Sequence, residues 1–318
     1  MVVKKLFEIE RKPRKGLLAF EWAVMAYLAL TLLVMLLTYT KLENPESMLW
    51  GRGRVVASTL ALWGVYRLVP CRITMLFRVC LQLALLSWWY PDTYEINRMF
   101  HNLDHVFAGM EQQLFHCQPA LLFSQKVSNG VFSELMHLGY ASYYPLIALV
   151  TFYYFLYRYQ EFTRVAFIIL AAFMLYYVIF VFLPVTGPQY YYLAAGVGEI
   201  AQGHFPNVGD YFATHSEALP IPGWKDGFFY QCVASAHAAG ERPTAAFPSS
   251  HVGVTTILLL LAWHARNRKL IYTILPFYVL MCLATVYIQA HYAVDVIGGW
   301  VSAVVIYTVL LFLSKKFV

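Results

Sequence analysis

Apolar residues recur along the chain in long runs that shorter polar segments separate. A run of about 20 apolar residues is long enough for a helix to cross a bilayer. Such a segment must be helical, because lipid cannot hydrogen-bond the polar groups of the backbone. The pattern predicts an all-α integral membrane protein with about eight spans, at approximately 17–39, 55–70, 73–90, 133–157, 164–183, 246–264, 270–289 and 294–313.

The second and third spans are short, and only the stretch from Leu68 to Arg72 separates them. A re-entrant hairpin at this point would reduce the count to six. We divide the chain into residues 1–72, with a basic tail and two N-terminal spans, and residues 73–318, with a six-span core. Composition agrees with a membrane protein, since 60% of the residues are hydrophobic and 13% are charged, against about 25% charged in soluble domains.

Two long segments between spans are predicted to lie on the outer side of the membrane. In segment 91–132, apolar residues recur at spacings of three and four, which favours a helix lying at the membrane interface. Segment 184–247 is rich in prolines and aromatic residues. Loops of this length are usually functional or disordered, and the aromatic content argues against disorder. We therefore expect segment 184–247, here called the cap segment, to cover a site.

The distribution of basic residues predicts the orientation. Lysines and arginines precede the first span and recur in every second loop, as the positive-inside rule requires if both termini are cytoplasmic. Arg52 and Arg54 do not fit this pattern. The net charge of +6 is explained by topology, so we predict no nucleic-acid partner. Cys117 and Cys232 both fall in outer segments; a disulfide between them and independent thiols are both compatible with the sequence.

The first candidate motif is Pro248-Ser249-Ser250-His251, directly before an apolar run. Proline suits the first turn of a helix, so the two serines and the histidine are expected in that turn. Free backbone N–H groups and the positive end of the helix dipole meet there and form a phosphate site. A structural helix start rich in serine would produce the same four residues.

The second motif is His291-x-x-x-Asp295, at the head of the last predicted span. Residues four apart share a helix face, so the carboxylate can hold one imidazole nitrogen and leave the other free to attack. A structural pair at the helix start is the alternative. The spans between the motifs run inward and back outward, so the predicted topology alone places His251 and His291 at the same, outer face.

Together, Phe247-Pro248-Ser249-Ser250-His251 and His291-x-x-x-Asp295 resemble two signatures of the type-2 phosphatidic acid phosphatase superfamily. The resemblance covers roughly residues 73–313, whose six spans would be that family's catalytic core. It implies that His291 is the phosphoryl-accepting nucleophile, that Asp295 orients it, and that His251 is the general acid. Ser249 and Ser250, with the adjacent N–H groups, would bind phosphate.

The chain departs from this superfamily pattern at its basic positions. The signature Lys-x6-Arg-Pro is absent; Gln189 stands where related sequences often have a basic residue, and Thr285 replaces the arginine six residues before the nucleophile. A phosphoryl group needs cationic or N–H partners. Arg242 and Lys225, the only basic residues predicted on the outer side between Pro184 and His291, are therefore predicted to bind phosphate together with Gln189. For Arg242 and Lys225, a solvated loop charge is the alternative.

Loss of that arginine is similar to the branch that contains fungal inositol phosphorylceramide synthase. The resemblance implies membrane lipids as donor and as possible acceptor, with no metal and no cofactor. A lipid phosphatase is the nearest alternative. A transporter whose histidines relay protons, or a scaffold that has lost activity, are further alternatives, although no inverted repeat or paired broken helices favour transport. His101, Asp104 and His105 are interpreted as the polar face of the interfacial helix, not as a metal cluster.

Overall fold

The computed structural model describes residues 6–240 and 242–317, and in this part of the chain it is all-helical with no strand. Two short 3-10 turns, Tyr39–Lys41 and Tyr211–Ala213, accompany the α-helices. Fourteen α-helices are described. They are α1 (Ala19–Leu37), α2 (Pro45–Leu68), α3 (Arg72–Asn97), α4 (Asp104–Phe115), α5 (Pro119–Lys126), α6 (Gly130–Ala141), α7 (Tyr143–Tyr157), α8 (Tyr159–Phe182), α9 (Pro188–Ala195), α10 (Val197–Ala201), α11 (Phe228–Gly240), α12 (Ser250–His264), α13 (Arg268–Tyr287) and α14 (Ala293–Phe317).

Five helices among the described residues are long and apolar enough to cross a membrane: α1, α3, α8, α13 and α14. Helices α6 and α7 are bent by 46° at a short break and would form a sixth span if counted as one. The predicted spans at 55–70 and 246–264 correspond to α2 and α12, but α12 has only 15 residues. The chain is thus an integral membrane protein, and the count of eight spans stays a prediction.

Helix α8 lies at the centre of the bundle, with 78% of its most apolar stretch buried. It packs against α1, α3, α7, α12 and α14. Close approach to α12 depends on Gly253, because a Cβ atom there would overlap the Tyr176 hydroxyl. Helix α12, which carries one of the predicted motifs, is therefore held against the best-buried element of the fold.

Two buried ion pairs join the N-terminal helices. Arg52 of α2 forms a two-point pair with Asp92 of α3, with both N···O distances 2.8 Å. Arg78 of α3 pairs with Glu21 of α1, its Nε lying 2.8 Å from Oε1. Unpaired charges are costly inside a membrane protein. The pairing explains why Arg52 does not obey the positive-inside pattern. Helix α2 begins at Pro45, a residue that suits the first turn of a helix, ten residues before the predicted span.

The outer segment 91–132 contains two helices, α4 and α5, and not one long helix. Helix α4 turns its apolar side chains Val106, Met110 and Leu114 outward, where each is about half exposed. Its acidic side chains, Asp104 and Glu111, point inward and are fully buried. The interpretation of Asp104 as part of an exposed polar face is therefore wrong: it lies on the buried face of α4, together with Phe107 and Ala108.

The cap segment is ordered by contacts at both of its ends. Val185 and Ala245 form a parallel bridge, in which Ala246 N donates to Val185 O at 2.9 Å. Helices α9, α10 and α11 lie between these points. All five cysteines lie in the described part of the chain and are free, including Cys117 and Cys232. The structure therefore has independent thiols and no disulfide between the outer segments.

Candidate active site

The N-terminus of α12 is capped by a side chain of the first motif. Helix α12 begins at Ser250, and the Ser249 hydroxyl accepts a hydrogen bond from Val252 N at 3.3 Å. Ser249 is thus the N-cap. Pro248 precedes it and lies outside the helix, whereas the sequence predicted both residues in the first turn. The N–H groups of Ser250 and His251 lie in the first turn, where backbone donors have no partner within the helix. This helix end can bind an anion.

His291 lies just before α14 and not within it. Its Nδ1 donates to the carbonyl oxygen of Ala246 at 2.8 Å. Because a carbonyl oxygen only accepts, the proton is on Nδ1, and Nε2 keeps its lone pair for a substrate. His291 is 3% exposed. The backbone of the cap segment therefore selects the tautomer in which the second nitrogen is nucleophilic.

Asp295 supports His291 at longer range. The distance from Asp295 Oδ2 to His291 Nδ1 is 3.5 Å, too long for a strong hydrogen bond. The same oxygen accepts from Tyr292 N at 2.8 Å, and Asp295 O accepts from Ser249 N at 3.1 Å. Asp295 thus fixes the turn that carries His291 and joins it to the cap of α12, and its charge faces the protonated nitrogen.

The two histidines face one small pocket, here called the histidine pocket. Their ring centroids are 5.7 Å apart. The ring of His251 lies against Tyr140 and Tyr143, with centroid distances of 4.6 and 4.3 Å, and its buried Nδ1 has no hydrogen-bond partner among the described residues. The described lining residues are Tyr90, Tyr140, Thr186, Gln189, Tyr190, His237, Ala245, Ser250, His251, Ala290 and His291.

A glycine allows the cap segment to approach His291. Gly187 has a φ of +94°, and a Cβ atom there would lie 2.6 Å from the carbonyl oxygen of Ala290. Glycine adopts such backbone angles at no steric cost. Thr186, directly before Gly187, and Gln189, two residues after it, consequently line the pocket next to His291. A side chain at position 187 would push this part of the cap segment away from His291.

The structure does not bring the two predicted cations into the histidine pocket. Arg242 and Lys225 are exposed, and neither is among the described residues that line it. The charge of Arg242 acts on Glu95 near the end of α3. Within the described lining, the groups that could balance a phosphate charge are the N–H groups at the start of α12, hydroxyls and imidazoles.

Asp104 is a buried carboxylate that the sequence analysis did not place at the site. It accepts five hydrogen bonds: from Asn102 Nδ2, from Thr186 N and Oγ1, from Gly187 N, and from the Tyr292 hydroxyl, at 2.5 to 3.0 Å. Burial raises its pKa to about 6 against the effect of these donors. Asp104 thereby joins α4, the cap segment and the residue after His291.

Glu111 lies about two turns after Asp104 on the same buried face of α4 and supports the start of α14. Its Oε2 accepts from Val294 N at 3.3 Å, close to the positive end of the helix dipole. Burial, and then the nearby charge of Asp295, raise the pKa of Glu111 to about 8. At neutral pH the carboxyl is therefore protonated. In the sequence, Glu111 is a single acid seven residues after Asp104. That pattern gave no indication that Glu111 is buried.

A family model for the PAP2 superfamily matches residues 105–309 of the chain. No curated protein and no solved structure matched. The matched range is more than half of the 318 residues and includes both histidines and Asp295. The chain therefore belongs to the PAP2 superfamily, whose members are generally phosphatases or phosphotransferases, so it is an enzyme of that broad type. The predicted superfamily is confirmed.

We expect Asp104→Asn to destabilise the protein. The amide nitrogen of asparagine would face donors such as Thr186 N, and at least one buried donor would lose its acceptor, at a cost of about 1–3 kcal/mol. The measurement is the unfolding midpoint in detergent. Asp210→Asn, at an exposed loop position, is the matched control. A midpoint for Asp104→Asn equal to that of the control would contradict the structural role.

We expect Glu111→Gln to change the pH dependence of stability. Because the pKa of Glu111 rises from 4.5 to about 8 on folding, the folded chain keeps a proton that the unfolded chain has lost, and stability falls as pH rises through this window. Glutamine removes that loss. The variant should therefore unfold at higher temperature than wild type at pH 8, with the difference shrinking towards pH 5. Glu217→Gln, an exposed position, should show no such trend.

Proposed function

We propose that the chain transfers a phosphoryl or phospho-alcohol group of a lipid phosphate ester through His291, at the outer membrane face, with both termini cytoplasmic. We favour a head-group phosphotransferase similar to inositol phosphorylceramide synthase over a lipid phosphatase. The observation that carries the proposal is the placement of His251, His291 and the first-turn N–H groups of α12 around one pocket.

In the first half-reaction, His291 Nε2 attacks phosphorus and the bond from phosphorus to the leaving lipid oxygen breaks. His251 gives a proton to that oxygen, and the phosphoryl group stays on His291. In the second, His251 takes the proton of an acceptor hydroxyl, whose oxygen attacks phosphorus and displaces His291. A lipid alcohol as acceptor yields transfer, and water yields hydrolysis; general acid–base and nucleophilic catalysis are the same in both.

The charge that develops on phosphorus needs preorganised partners. The N–H groups of Ser250 and His251, the dipole of α12 and the Ser250 hydroxyl can supply part of this stabilisation. Ser249 would act through its cap, since its hydroxyl already accepts from Val252 N. Asp295 would keep His291 in its tautomer and stabilise the protonated imidazole, in the manner of other catalytic carboxylates beside histidine.

Thr285 stands in place of the arginine expected six residues before the nucleophile. This replacement favours transfer to a lipid hydroxyl, because the synthase branch resembles this chain in lacking that arginine. The exposed apolar face of α4 favours a substrate that is itself a membrane lipid. A transporter or a scaffold would need no nucleophilic tautomer at His291. Purified protein incubated with labelled phospholipids, with and without ceramide and diacylglycerol, distinguishes transferase from phosphatase by its two products.

We expect a labelled phosphoryl group to be trapped on the protein from a phosphate-labelled lipid, and His291→Ala to abolish both the trapped label and turnover. The control is His215→Ala at an exposed cap position, which should retain both. Vanadate, which mimics the five-coordinate phosphorus, should inhibit wild type, whereas a chelator should not. Turnover by His291→Ala at the wild-type rate would end the mechanism.

The sequence predicts that Arg242→Ala lowers turnover by roughly 10²–10³-fold, the loss typical of one transition-state donor, whereas the exposed position of Arg242 outside the histidine pocket predicts turnover near wild type. Arg242 begins the stretch that leads to Ala246 and to the cap of α12, and its planar fork suits two phosphate oxygens. Lys225→Ala, the matched charge removal at an exposed position, should lower turnover less. Wild-type turnover by Arg242→Ala would show that N–H and hydroxyl groups alone balance the phosphate.

A further inference from the structure

We propose that Gln189 accepts a hydrogen bond from a hydroxyl group of the substrate, and so makes the histidine pocket selective for a head group or acceptor that carries an alcohol. This inference rests on the proposed function. The sequence predicts Gln189 at the phosphate, but the orientation of its amide favours a different partner.

The orientation of the Gln189 side chain is determined by Leu219. Gln189 Nε2 lies 2.6 Å from the carbonyl oxygen of Leu219. A carbonyl oxygen only accepts, so the amide nitrogen must face it and Oε1 must face away. The backbones reinforce this arrangement, since Leu219 N donates to Gln189 O and Gln189 N donates to Gln289 O, both at 2.9 Å.

The other end of the amide is an acceptor with no partner. Gln189 is 3% exposed and lines the histidine pocket together with both catalytic histidines. Its Oε1 is buried and has no hydrogen-bond partner in the described part of the chain. Leaving such a group unpaired costs free energy, and in native proteins buried polar atoms almost always have a partner. A ligand in the pocket would supply it.

The chemistry of the missing partner follows from what the oxygen can bind. The non-bridging oxygens of a phosphodiester carry no proton and would repel an amide oxygen, so Oε1 does not contact phosphate. A cationic donor would be left without a counter-charge, because no Asp or Glu is among the described residues that line the pocket. A neutral hydroxyl satisfies the acceptor without introducing charge.

The surroundings of Gln189 fit such a hydroxyl-bearing group. Tyr90, Tyr140 and Tyr190 line the histidine pocket and combine apolar faces with polar tips. The pocket itself has a free volume of about 20 Å³, about the space of one water molecule or one hydroxyl. It shares His251 and Tyr140 with a more apolar cavity of about 360 Å³, which can take the larger part of a lipid.

The test compares two substrates in wild type, Gln189→Met and Gln189→Glu. Methionine keeps the length of the side chain and removes the acceptor, whereas glutamate keeps an acceptor and disturbs the contact to Leu219. The readout is the ratio of kcat/KM for phosphatidylinositol, whose head group is a polyol, to that for phosphatidic acid, which has no head-group alcohol. A ratio cancels general damage to the site.

We expect Gln189→Met to lower this ratio by roughly 10- to 100-fold, as for one buried hydrogen-bonding group left unpaired, because turnover of phosphatidylinositol falls further than turnover of phosphatidic acid. Gln189→Glu should lower both rates together and keep the ratio near that of wild type. The proposal is overturned if Gln189→Met leaves unchanged both this ratio and the partition between transfer and hydrolysis with an added alcohol acceptor, or if both variants change the ratio alike. If Gln189→Met does not fold, Gln189→Glu decides. A lower ratio in Gln189→Glu than in wild type overturns the proposal, and a ratio equal to that of wild type supports it.

A second arm identifies the source of the hydroxyl. With phosphatidylinositol as donor, ceramide is added as acceptor and the partition between transfer and hydrolysis is measured. A lower rate of donor consumption in Gln189→Met at constant partition assigns the hydroxyl to the head group. A shift in partition towards hydrolysis assigns it to the acceptor. Wild-type protein that consumes neither lipid would refute the proposed function itself, independently of Gln189.

Discussion

The hydrogen bond from His291 Nδ1 to the carbonyl oxygen of Ala246 is the contact on which the site depends. It joins the turn before α14 to the end of the cap segment, three residues before the N-cap of α12. A backbone carbonyl cannot change its protonation state, so the tautomer of His291 is set by geometry. Asp295, at 3.5 Å from the same nitrogen, then supplies charge more than orientation.

A membrane fold must keep its polar groups paired, because the bilayer provides no alternative partners. This chain meets the requirement with a few carboxyl groups that each serve several segments. Asp104 gathers donors from α4, the cap segment and the turn after His291. Burial, and then the nearby charge of Asp295, raise the pKa of Glu111 so that it remains protonated at neutral pH. The arrangement of residues around His291 is thus held by buried acids on a peripheral helix, and not by the spans alone.

The sequence predicted those features that depend on local signals. Seven of the eight predicted spans each overlap one helix, and the eighth, 133–157, overlaps the bent pair α6 and α7. The start of α12 and both histidines were located from short motifs, although Ser249 is the N-cap and not a residue of the first turn. What it missed depends on long-range pairing. Arg52 is buried because it meets Asp92, forty residues away, and Asp104 is buried because residues 186 and 187 fold back over it. The apolar periodicity of α4 was visible, but which face would turn inward was not.

Helix α4 lies between two environments, because exposed apolar side chains and buried carboxyl groups project from opposite sides of it. Val106, Met110 and Leu114 are exposed on one side, and Asp104 and Glu111 hold the turns around His291 and Asp295 on the other. Both sets of side chains project from one helix of 12 residues. Whatever packs against the apolar side therefore lies one helix width from the carboxyl groups that hold the turns around His291 and Asp295.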